Sequence, residues 1–357
     1  MSEPLAAGAV IGILGGGQLG RMLSVAAARL GYRCHIYDAA EHIPAGDVAH
    51  AVTRAAWDDA QALQEFADAV DLVSFEFENV PTQTIDLLSP HCPVLPGRNA
   101  LAVAQDRLSE KTFLRDLGLP TAPFMPVDSL DSLEAAFDAL GAPAILKTRR
   151  MGYDGKGQVR LESRADIAAA WAAMRGAPAI LEGFVAFSHE ISVIAARGLN
   201  GEVACYDPGE NLHKSGILVE TRVPARLGPS QRSDAVIMAS RILNALDYVG
   251  VLGVEIFVSA DGLVVNEIAP RVHNSGHWTQ NGCAVDQFEQ HIRAITGLPL
   301  GDGERHSDVV MENLIGDDLH RLPELLRAPN VAVHLYGKPE IRPGRKMGHV
   351  NRILPAR

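Results

Sequence analysis

Short β-branched, apolar runs alternate with glycine turns and helical periods along most of the chain. The first series starts at Ala9, where an apolar strand leads into a glycine turn at 15–20, a helical stretch to Gly31 and a second strand that ends at Asp38. Strands that alternate with helices are typical of a parallel sheet with helices on its faces. The pattern therefore predicts an α/β fold that begins with a Rossmann-like unit.

Two more strands are predicted in this unit, at 71–75 and 93–97. The first of them ends in two acids, Glu76 and Glu78. Because open α/β sheets bind ligands at the carboxyl ends of their strands, both acids are candidates for binding. Only the side chain that faces the crevice can act, and the other would be a solvated edge residue.

A helical stretch from Ala100 to Leu117 follows, with Gly118 and two prolines directly after it. A glycine stop followed by prolines is typical of a connection between units, so we place the first domain boundary there. Within the helix, Arg107 and Lys111 have the i, i+4 spacing that is usual for surface charges.

The next unit contains a strand that ends at Lys147 and a glycine-rich loop at 148–158 that enters another strand. This loop is not a Walker A motif, because the required lysine pattern is absent and no helix follows it. Its backbone N–H groups could fold over phosphates with the strand lysine beneath them, although an ordinary glycine-rich hairpin has the same pattern.

Later segments add further polar groups. The strand that contains Glu182 runs into a short connector at 183–185, whose backbone could bind an adenine. Glu190 begins the next strand as a possible ribose-binding acid. His213 lies in a polar loop, where a lone histidine usually has a structural role.

Two short β-branched runs at 254–258 and 263–268 are joined by turn residues and predict a β-hairpin. If its turn is centred near Asp261, Glu255 and Glu267 are cross-strand neighbours. Facing carboxylates need a shared proton, a basic partner or a metal ion, and oxygen ligands suit Mg²⁺ with a nucleotide. A shift of register by one residue would instead place the two on opposite faces as ordinary glutamates.

The tail of the chain predicts a helix from Ala284, a strand at 309–314 and a basic cluster at 338–346 with four cationic side chains. In an acidic protein such a cluster suggests a site for a substrate phosphate or carboxylate. A solvated basic hairpin is the alternative.

Composition narrows the classes of function. The 357 residues are 47% hydrophobic, which is typical of globular domains, and the formal net charge of −11 argues against a large nucleic-acid interface. The four cysteines form no C-x-x-C pair, which favours a reducing cytoplasm over a disulfide framework. We expect neither a membrane span nor an export signal.

The glycine turn keeps a second interpretation open. Gly15, Gly17 and Gly20 satisfy G-x-G-x-x-G between a strand and a helix, and Asp38 lies where a ribose-binding acid would stand. A nucleotide-dependent oxidoreductase would explain these residues but leaves the Glu255 and Glu267 pair without a role. The same turn would accept a substrate phosphate equally well.

Taken together, the motifs resemble those of the ATP-grasp ligases over nearly the whole chain, and within them the family of ATP-dependent N5-carboxyaminoimidazole ribonucleotide synthases of purine biosynthesis. The strings that carry the resemblance are Gly-Gly-Gly-Gln-Leu-Gly-Arg-Met at 15–22, Glu-Phe-Glu-Asn-Val at 76–80, Gln-Asp-Arg at 105–107, Tyr-Asp-Gly-Lys-Gly at 153–157, Asn-Leu-His at 211–213, the run from Asn266 to Gly276, and Lys338 with Arg-Lys-Met-Gly-His at 345–349. Lys156 departs from the arginine of many relatives, which puts the geometry of that contact in doubt.

The resemblance implies a fold and a set of units. These are a Rossmann-like preATP-grasp domain at 1–118, a small ATP-grasp lid with the glycine-rich loop at 119–187, a large ATP-grasp subdomain with the metal-binding hairpin at 188–297, and a small β-rich C-terminal domain that contacts substrate at 298–357. The ATP-grasp part is expected to be α+β.

The resemblance also implies site residues. ATP would be held by Arg107, Lys147, Gly152, Tyr153, Asp154, Gly155, Lys156, Gly157, Gln158, Glu182, Gly183, Phe184, Val185, Glu190, His213, Asn266 and Glu267. The ribonucleotide would meet Gln18, Leu19, Glu76, Asn274, Lys338, Arg345 and Lys346. Mg²⁺, or Mn²⁺ in its place, would bind Glu255 and Glu267, and the expected catalytic residues are Asp154, Lys346 and Arg271.

The implied reaction is a carbon–nitrogen ligation that joins bicarbonate to the 5-amino group of 5-aminoimidazole ribonucleotide (AIR) while ATP becomes ADP and phosphate. The implied setting is a cytoplasmic homodimer whose product passes to a separate mutase. A sister ATP-grasp enzyme that uses formate with glycinamide ribonucleotide and a non-catalytic nucleotide-binding regulator are the remaining alternatives.

Overall fold

A computed structural model describes residues 3–152 and 155–355 of the chain. Within these ranges the strands form three sheets, of four, nine and four strands. The predicted residues Tyr153 and Asp154 lie outside the described part.

The first sheet is parallel, as the alternation of strands and helices predicts. Its strands and the helices between and after them are β1 (Val10–Leu14), α1 (Gln18–Arg29), β2 (Arg33–Asp38), β3 (Ala51–Arg54), α2 (Ala60–Asp68), β4 (Leu72–Phe75), α3 (Thr82–Leu88), α4 (Arg98–Ala104) and α5 (Arg107–Asp116). The strand order is β3-β2-β1-β4. One apolar face of α1 is buried because Leu19, Leu23 and Ala27 recur at helical spacing.

The predicted strand at 93–97 is wrong as a full strand. It forms a single parallel bridge, in which the Val73 N–H donates to the Pro93 carbonyl (2.8 Å) and the Leu95 N–H donates to the Val73 carbonyl (2.9 Å). Pro93 and Pro96 have no N–H to donate, so the ladder cannot extend. The fourth strand of the sheet is instead β3, whose four residues form too short a pattern to be recognised.

The helical stretch predicted at 100–117 is two helices. The first ends at Ala104, and Asp106 caps the second, because its side chain accepts from the N–H groups of Leu108 and Ser109. The surface location predicted for two cations of α5 is also wrong, since the side chain of Arg107 is 18% exposed and that of Lys111 is 1% exposed.

The second sheet is antiparallel and small. Its elements are β5 (Phe124–Val127), α6 (Leu130–Leu140), β6 (Ala144–Thr148), β7 (Gln158–Leu161), α7 (Ile167–Met174) and β8 (Ala179–Gly183). The strand order is β5-β8-β6-β7. Both helices pack on the sheet through a core that includes Leu133, Leu146, Ile167 and Leu181.

The third sheet is large and antiparallel. Its strands are β9 (Phe187–Arg197), β10 (Val203–Cys205), β11 (Gly209–Lys214), β12 (Ile217–Val223), β13 (Gly250–Ser259), β14 (Gly262–Ala269), β15 (Asp308–Ile315), β16 (Val331–Leu335) and β17 (Lys346–Leu354). The accompanying helices are α8 (Pro229–Ala245), α9 (Thr279–Gly282), α10 (Gln287–Thr296) and α11 (Leu322–Leu325). The order is β14-β13-β9-β11-β12-β15-β17-β16, with β10 beside β9, so the last three strands continue this sheet.

The first and third sheets are joined through α1 and α10. Arg29 of α1 donates to Asp286 (2.9 Å) and Glu289 (2.6 Å) at the start of α10. At the same junction the buried Ser74 of β4 lies 2.8 Å from His291 of α10. None of the described helices is long and apolar enough to cross a membrane.

Candidate active site

Glu255 and Glu267 are direct cross-strand partners in the hairpin of β13 and β14, as the sequence predicts. The reason differs from the expected one. Ser259 pairs with Gly262, so the turn is centred between Ala260 and Asp261, and a regular ladder would place Asn266 opposite Glu255. A bulge between Glu255 and Ile256 inserts Asn266 as an extra residue and brings Glu267 into register.

The two carboxylates have different surroundings. Burial, followed by the charge of Glu267, raises the pKa of Glu255 to about 8. Burial also opposes ionisation of Glu267, but the Arg107 guanidinium at 2.9 Å outweighs it and lowers the pKa of Glu267. Burial and then the charge of Arg271 lower the pKa of His273, which lies 3.4 Å from Glu255, to about 3, so this ring is neutral and does not offset the carboxylate.

These residues fit a hard divalent cation. Asn266 Oδ1 is buried at the bulge and has no hydrogen-bond partner among residues 3–152 and 155–355. An orphaned amide oxygen beside two facing carboxylates forms an all-oxygen donor set, which Mg²⁺ prefers. The described ranges contain no group of three or more His, Cys, Asp or Glu side chains arranged to hold a metal. Glu255, Glu267 and Asn266 are therefore the candidate ligands.

Helix α5 carries three charged side chains into the site. Arg107 bonds Glu267 and also approaches the carbonyl of Gly152 in the glycine-rich loop (3.5 Å). Glu110 accepts from the N–H of Ile268 on β14 (2.7 Å), and burial raises the pKa of Glu110 to about 8. Lys111 lies 3.6 Å from Glu182 on β8. One helix face thus joins the hairpin to the small sheet.

Lys147 and Glu182 form a buried ion pair at the base of the small sheet. Lys147 Nζ donates to Glu182 Oε2 at 2.9 Å, and both residues are under 10% exposed. Burial raises the pKa of Glu182, but the neighbouring charges of Lys111 and Lys147 outweigh this effect and lower it. This arrangement places cationic side chains below the glycine-rich loop.

The glycine-rich loop connects β6 and β7. Thr148 donates its N–H to the carbonyl of Gly157 (2.8 Å), and a Cβ atom at Gly157 would lie 2.6 Å from the Thr148 hydroxyl. Gly155 has φ of +75° and lies against Gly216 in the turn between β11 and β12. These close approaches, and the positive φ of Gly155, require glycine at both positions. Lys156 lies in the loop, and Gln158 is the first residue of β7.

The connector 183–185 follows β8. Gly183 donates its N–H to the Pro123 carbonyl (2.8 Å), and Phe184 donates to the Pro143 carbonyl (3.1 Å). Two of the three N–H groups of the connector, which ends at Val185, are therefore used in hydrogen bonds within the chain. The ring of Phe184 is covered by the guanidinium of Arg160, 4.4 Å from its centroid.

A cavity of about 670 Å³ opens between β9, β11 and β12, and Glu190 and His213 lie in its wall. His213 Nδ1 is 2.6 Å from Glu190 Oε2. Burial lowers the pKa of His213, but the hydrogen bond and charge of Glu190 outweigh this effect and raise it. At the cavity rim, Phe187 stacks on Phe257 with ring centroids 4.5 Å apart. The size and the mixed lining suit a nucleotide.

Some of the predicted substrate residues lie together at the start of α1. Lys338 Nζ donates to Gln18 Oε1 (2.5 Å) and to the carbonyl of Lys346 (2.7 Å), which ties the loop between β16 and β17 to the glycine turn. Leu19 is 9% exposed and packs into the core of α1. Arg345 donates to the carbonyl of Glu340 (2.9 Å).

Arg271 joins the β13–β14 hairpin to the first sheet. It follows β14 and donates to Glu78, which follows β4. Burial opposes the charge of Glu78, but Arg271 outweighs burial and lowers the pKa of Glu78 to about 2. Asn274 lies a few residues further on and exchanges two hydrogen bonds with Asn313 of β15 (2.7 and 3.0 Å).

Glu76 occupies the amides of the glycine turn. Its carboxylate accepts from the N–H groups of Gly17 (2.5 Å) and Gly20 (2.8 Å), and Asp38 accepts from Gly16 (2.7 Å). Burial raises the pKa of Glu76. The anion site at the start of α1 is thus filled by the chain itself, so a dinucleotide pyrophosphate cannot sit there and the oxidoreductase interpretation is wrong.

Three polar residues at the site were not predicted: Glu110, Lys111 and Asn313. The two in α5 share a face with Arg107, and this spacing was the available signal. Asn313 lies in an apolar strand, where no local pattern distinguishes it from a surface residue.

Comparison with known proteins first gives the class. The chain matches the ribonucleotide synthetase preATP-grasp domain at 9–105 and the ATP-grasp domain at 112–288. It also matches the phosphoribosylaminoimidazole carboxylase C-terminal domain at 309–356. The chain therefore has the domains of an ATP-grasp ligase.

The particular family follows from individual relatives. N5-carboxyaminoimidazole ribonucleotide synthase of Brucella melitensis is 56% identical over 98% of this chain and 97% of its own. The Staphylococcus aureus enzyme in complex with ADP has a TM-score of 0.94 at 37% identity, covering 99% of this chain and 95% of its own. The Aspergillus clavatus enzyme in complex with ADP and 5-aminoimidazole ribonucleotide has a TM-score of 0.92 at 32% identity, with 98% and 94% covered. The chain belongs to the family of N5-carboxyaminoimidazole ribonucleotide synthases.

Proposed function

We propose that the chain catalyses the ATP-dependent carboxylation of 5-aminoimidazole ribonucleotide to N5-carboxyaminoimidazole ribonucleotide, with bicarbonate as the source of carbon. Family membership supports this reaction. The observation that carries it is the bulged hairpin, because Glu255 and Glu267 face each other beside the orphaned oxygen of Asn266.

ATP would occupy the space between the small and large sheets. Lys147 and the loop 152–158 would bind its phosphates. Glu190 and His213, in the wall of the cavity, would bind its ribose. The connector 182–185 would border the adenine. Glu255, Glu267 and Asn266 would hold Mg²⁺, which supplies positive charge to the transferring phosphoryl group when bound.

The reaction consists of two transfers. An oxygen of bicarbonate attacks the γ-phosphorus, the bond to ADP breaks, and carboxyphosphate forms. The 5-amino nitrogen of AIR then takes the carboxyl carbon, phosphate leaves, and the nitrogen gives up one proton. Each step balances without a further reactant.

Cationic residues between the first sheet and the β13–β14 hairpin would stabilise the phosphoryl and carboxyl groups during transfer. Arg271 is held by Glu78, whose charge outweighs burial and raises the pKa of Arg271, so this residue stays cationic and cannot act as a base. Lys346 is positioned through its carbonyl by Lys338. Lys346 and Asp154 remain candidates for proton transfer at the amine, and Asp154, like Tyr153, lies outside the described residues.

The ribonucleotide would lie along the start of α1. Gln18, Leu19 and Glu76 border it on one side, and Asn274, Lys338, Arg345 and Lys346 border it on the other. The loop 152–158 would close over the nucleotide and keep water from carboxyphosphate.

Further proposals concern organisation and setting. The four units at 1–118, 119–187, 188–297 and 298–357 remain our proposed division. The separate small sheet supports the second unit, whereas the strands of the fourth unit continue the sheet of the third. The four free cysteines support a reducing cytoplasm. Family resemblance supports a homodimer, which sedimentation as a single-chain species would contradict, and transfer of the product to a separate mutase.

The test measures ADP release from Mg·ATP with AIR and bicarbonate present together, singly and not at all. We expect release to require both co-substrates, and carbon from labelled bicarbonate to appear in the product. If release occurs with formate and glycinamide ribonucleotide instead, the proposed substrate is wrong. If ATP is untouched under every combination, the proposed nucleotide site is wrong.

A further inference from the structure

Lys111 is a buried cation with an incomplete set of partners. It lies in the first turns of α5 and is 1% exposed. Its Nζ atom has no hydrogen-bond partner among residues 3–152 and 155–355. Its ionic partner is Glu182 Oε2 at 3.6 Å. Burying a cation with so few partners destabilises the fold. Its presence therefore suggests a role that a neutral side chain could not perform.

The partner oxygen is shared. Glu182 Oε2 also accepts from Lys147 Nζ at 2.9 Å, so one carboxylate faces two ammonium groups. With Lys147 alone, Glu182 would form a neutral pair, and little charge would be left for a phosphate. With Lys111 added, the three groups carry a net charge of +1 when all are ionised. Burial lowers the pKa of Lys111, and the charge of Glu182 opposes this effect only in part, so Glu182 is the principal group that favours the ionised form of Lys111.

The three residues also come from different parts of the fold. Lys147 and Glu182 lie on neighbouring strands of the small sheet, whereas Lys111 lies on α5. The same helix bonds Glu267 of the hairpin through Arg107. A charge on α5 therefore reaches the phosphate end of the site from behind the small sheet.

We infer that Lys111 is a positioning residue for the nucleotide phosphates: it shares the carboxylate of Glu182 with Lys147, so that Lys147 keeps a net positive charge toward the ligand. This inference rests on the proposed function, which places ATP over Lys147. Lys111 itself does not touch the nucleotide. Its effect is electrostatic and acts on phosphates, not on the adenosine part.

The test compares the binding of ADP with Mg²⁺ and of adenosine, by calorimetry, in four forms of the chain. We expect Lys111→Met to raise the dissociation constant of ADP at least tenfold and to change that of adenosine less than twofold. Glu182→Gln removes the shared anion, and the Lys111→Met/Glu182→Gln double variant restores the net charge of the wild type. The ratio of adenosine to ADP dissociation constants should therefore rank Glu182→Gln at or above the wild type, the double variant near the wild type, and Lys111→Met lowest.

A matched control lies on the same helix. Arg115 is 58% exposed in its side chain, so Arg115→Met removes one positive charge from α5 outside the cluster and should leave both dissociation constants unchanged. If Lys111→Met does not fold, the comparison of Glu182→Gln with the double variant, which differ only at residue 111, still tests the effect of the Lys111 charge, and the ratio should be lower in the double variant.

Several results would overturn the inference. Equal weakening of ADP and adenosine in Lys111→Met would show a structural role only, and unchanged ADP binding would show that the charge is irrelevant. A double variant no better than Lys111→Met would refute the sharing of Glu182. A wild-type chain that binds neither ligand would overturn the proposed nucleotide site itself, which is a different outcome.

Discussion

Glu255 and Glu267 face each other because Asn266 bulges out of the ladder between β13 and β14. The bulge does two things at once. It selects which acids meet, and it leaves the Asn266 oxygen without a partner beside them in the described part of the chain. The pairing at the candidate metal ligands is thus a local departure from the regular ladder, as is common next to active sites.

Glu255→Gln should separate activity from stability. Because the two carboxylates repel each other when no cation is bound, removing one charge should leave the free energy of unfolding unchanged or raised, measured with urea in EDTA. The rate of Mg·ATP turnover should fall by about 100-fold or more. Asp261→Asn, an exposed change in the turn of the same hairpin, should alter neither quantity. Full turnover in Glu255→Gln would remove this residue from the metal site.

Asp106→Ala should destabilise the start of α5. The side chain caps Leu108 and Ser109 and also bonds Arg149 at 2.8 Å, so its loss should lower the free energy of unfolding by about 2–3 kcal/mol. Asp106→Asn keeps the cap and should lose less. Asp86→Ala, which breaks an exposed ion pair with Arg98, should lose at most about 0.5 kcal/mol. Equal losses at Asp106 and Asp86 would contradict this account.

Protonation of His291 should make the fold sensitive to acid. The Val251 N–H donates to His291 Nδ1 (3.1 Å), so Nε2 carries the proton toward Ser74, and a second proton would place two N–H groups against each other. Burial lowers the pKa of His291 to about 4. Since the unfolded chain takes up this proton near pH 6.5 and the folded chain does not, stability is present above pH 6.5 and is lost as the pH falls toward 4.

The magnitude is about 3 kcal/mol for this one histidine between pH 6.5 and 4. Urea unfolding at a series of pH values measures it. In His291→Gln the free energy of unfolding that is lost between pH 6.5 and 4 should be smaller than in the wild type by this amount. His42→Gln, at an exposed position, should lose as much as the wild type. An unchanged loss in His291→Gln would assign the acid sensitivity to other groups.

Lys338→Met should affect the ribonucleotide more than the nucleotide. Its ammonium group holds Gln18 and the carbonyl of Lys346 together, so its loss should raise the KM for AIR by about tenfold or more and leave the KM for ATP within twofold. Arg352→Met, an exposed change on β17, is the matched control. If the two KM values rise equally, Lys338 stabilises the fold and does not orient the substrate.

The sequence predicts the parallel first sheet and the β13–β14 hairpin well, because both depend on local patterns. Strand β3 and the break at Asp106 are missed, since four residues give little periodicity and a cap inside a helical stretch resembles a surface acid. The bulge at Asn266 cannot be read from the residues, because it depends on pairing between strands. The burial of Lys111 depends on β8, which lies far along the chain, and no local pattern contains it.

Resemblance to a family supplied most of the expected binding residues, and the structure brings Gln18, Lys338 and Lys346 together while tying Glu78 to Arg271. The roles of these residues stay predictions until the variants are measured. The hairpin pattern predicts the carboxylate pair, but no pattern at the start of α1 distinguishes a ribonucleotide from other ligands.

The carboxylate of Glu76 on the glycine turn has a consequence for selectivity among cellular metabolites. Nicotinamide dinucleotides are abundant in cells and compete for any vacant turn of this type. Here the competing anion is the Glu76 carboxylate, which is part of the polypeptide and present at a fixed and very high effective concentration. It therefore disfavours pyrophosphate binding even when the site is open to solvent. The chain thus keeps a dinucleotide-type framework whose anion-binding amides are already occupied.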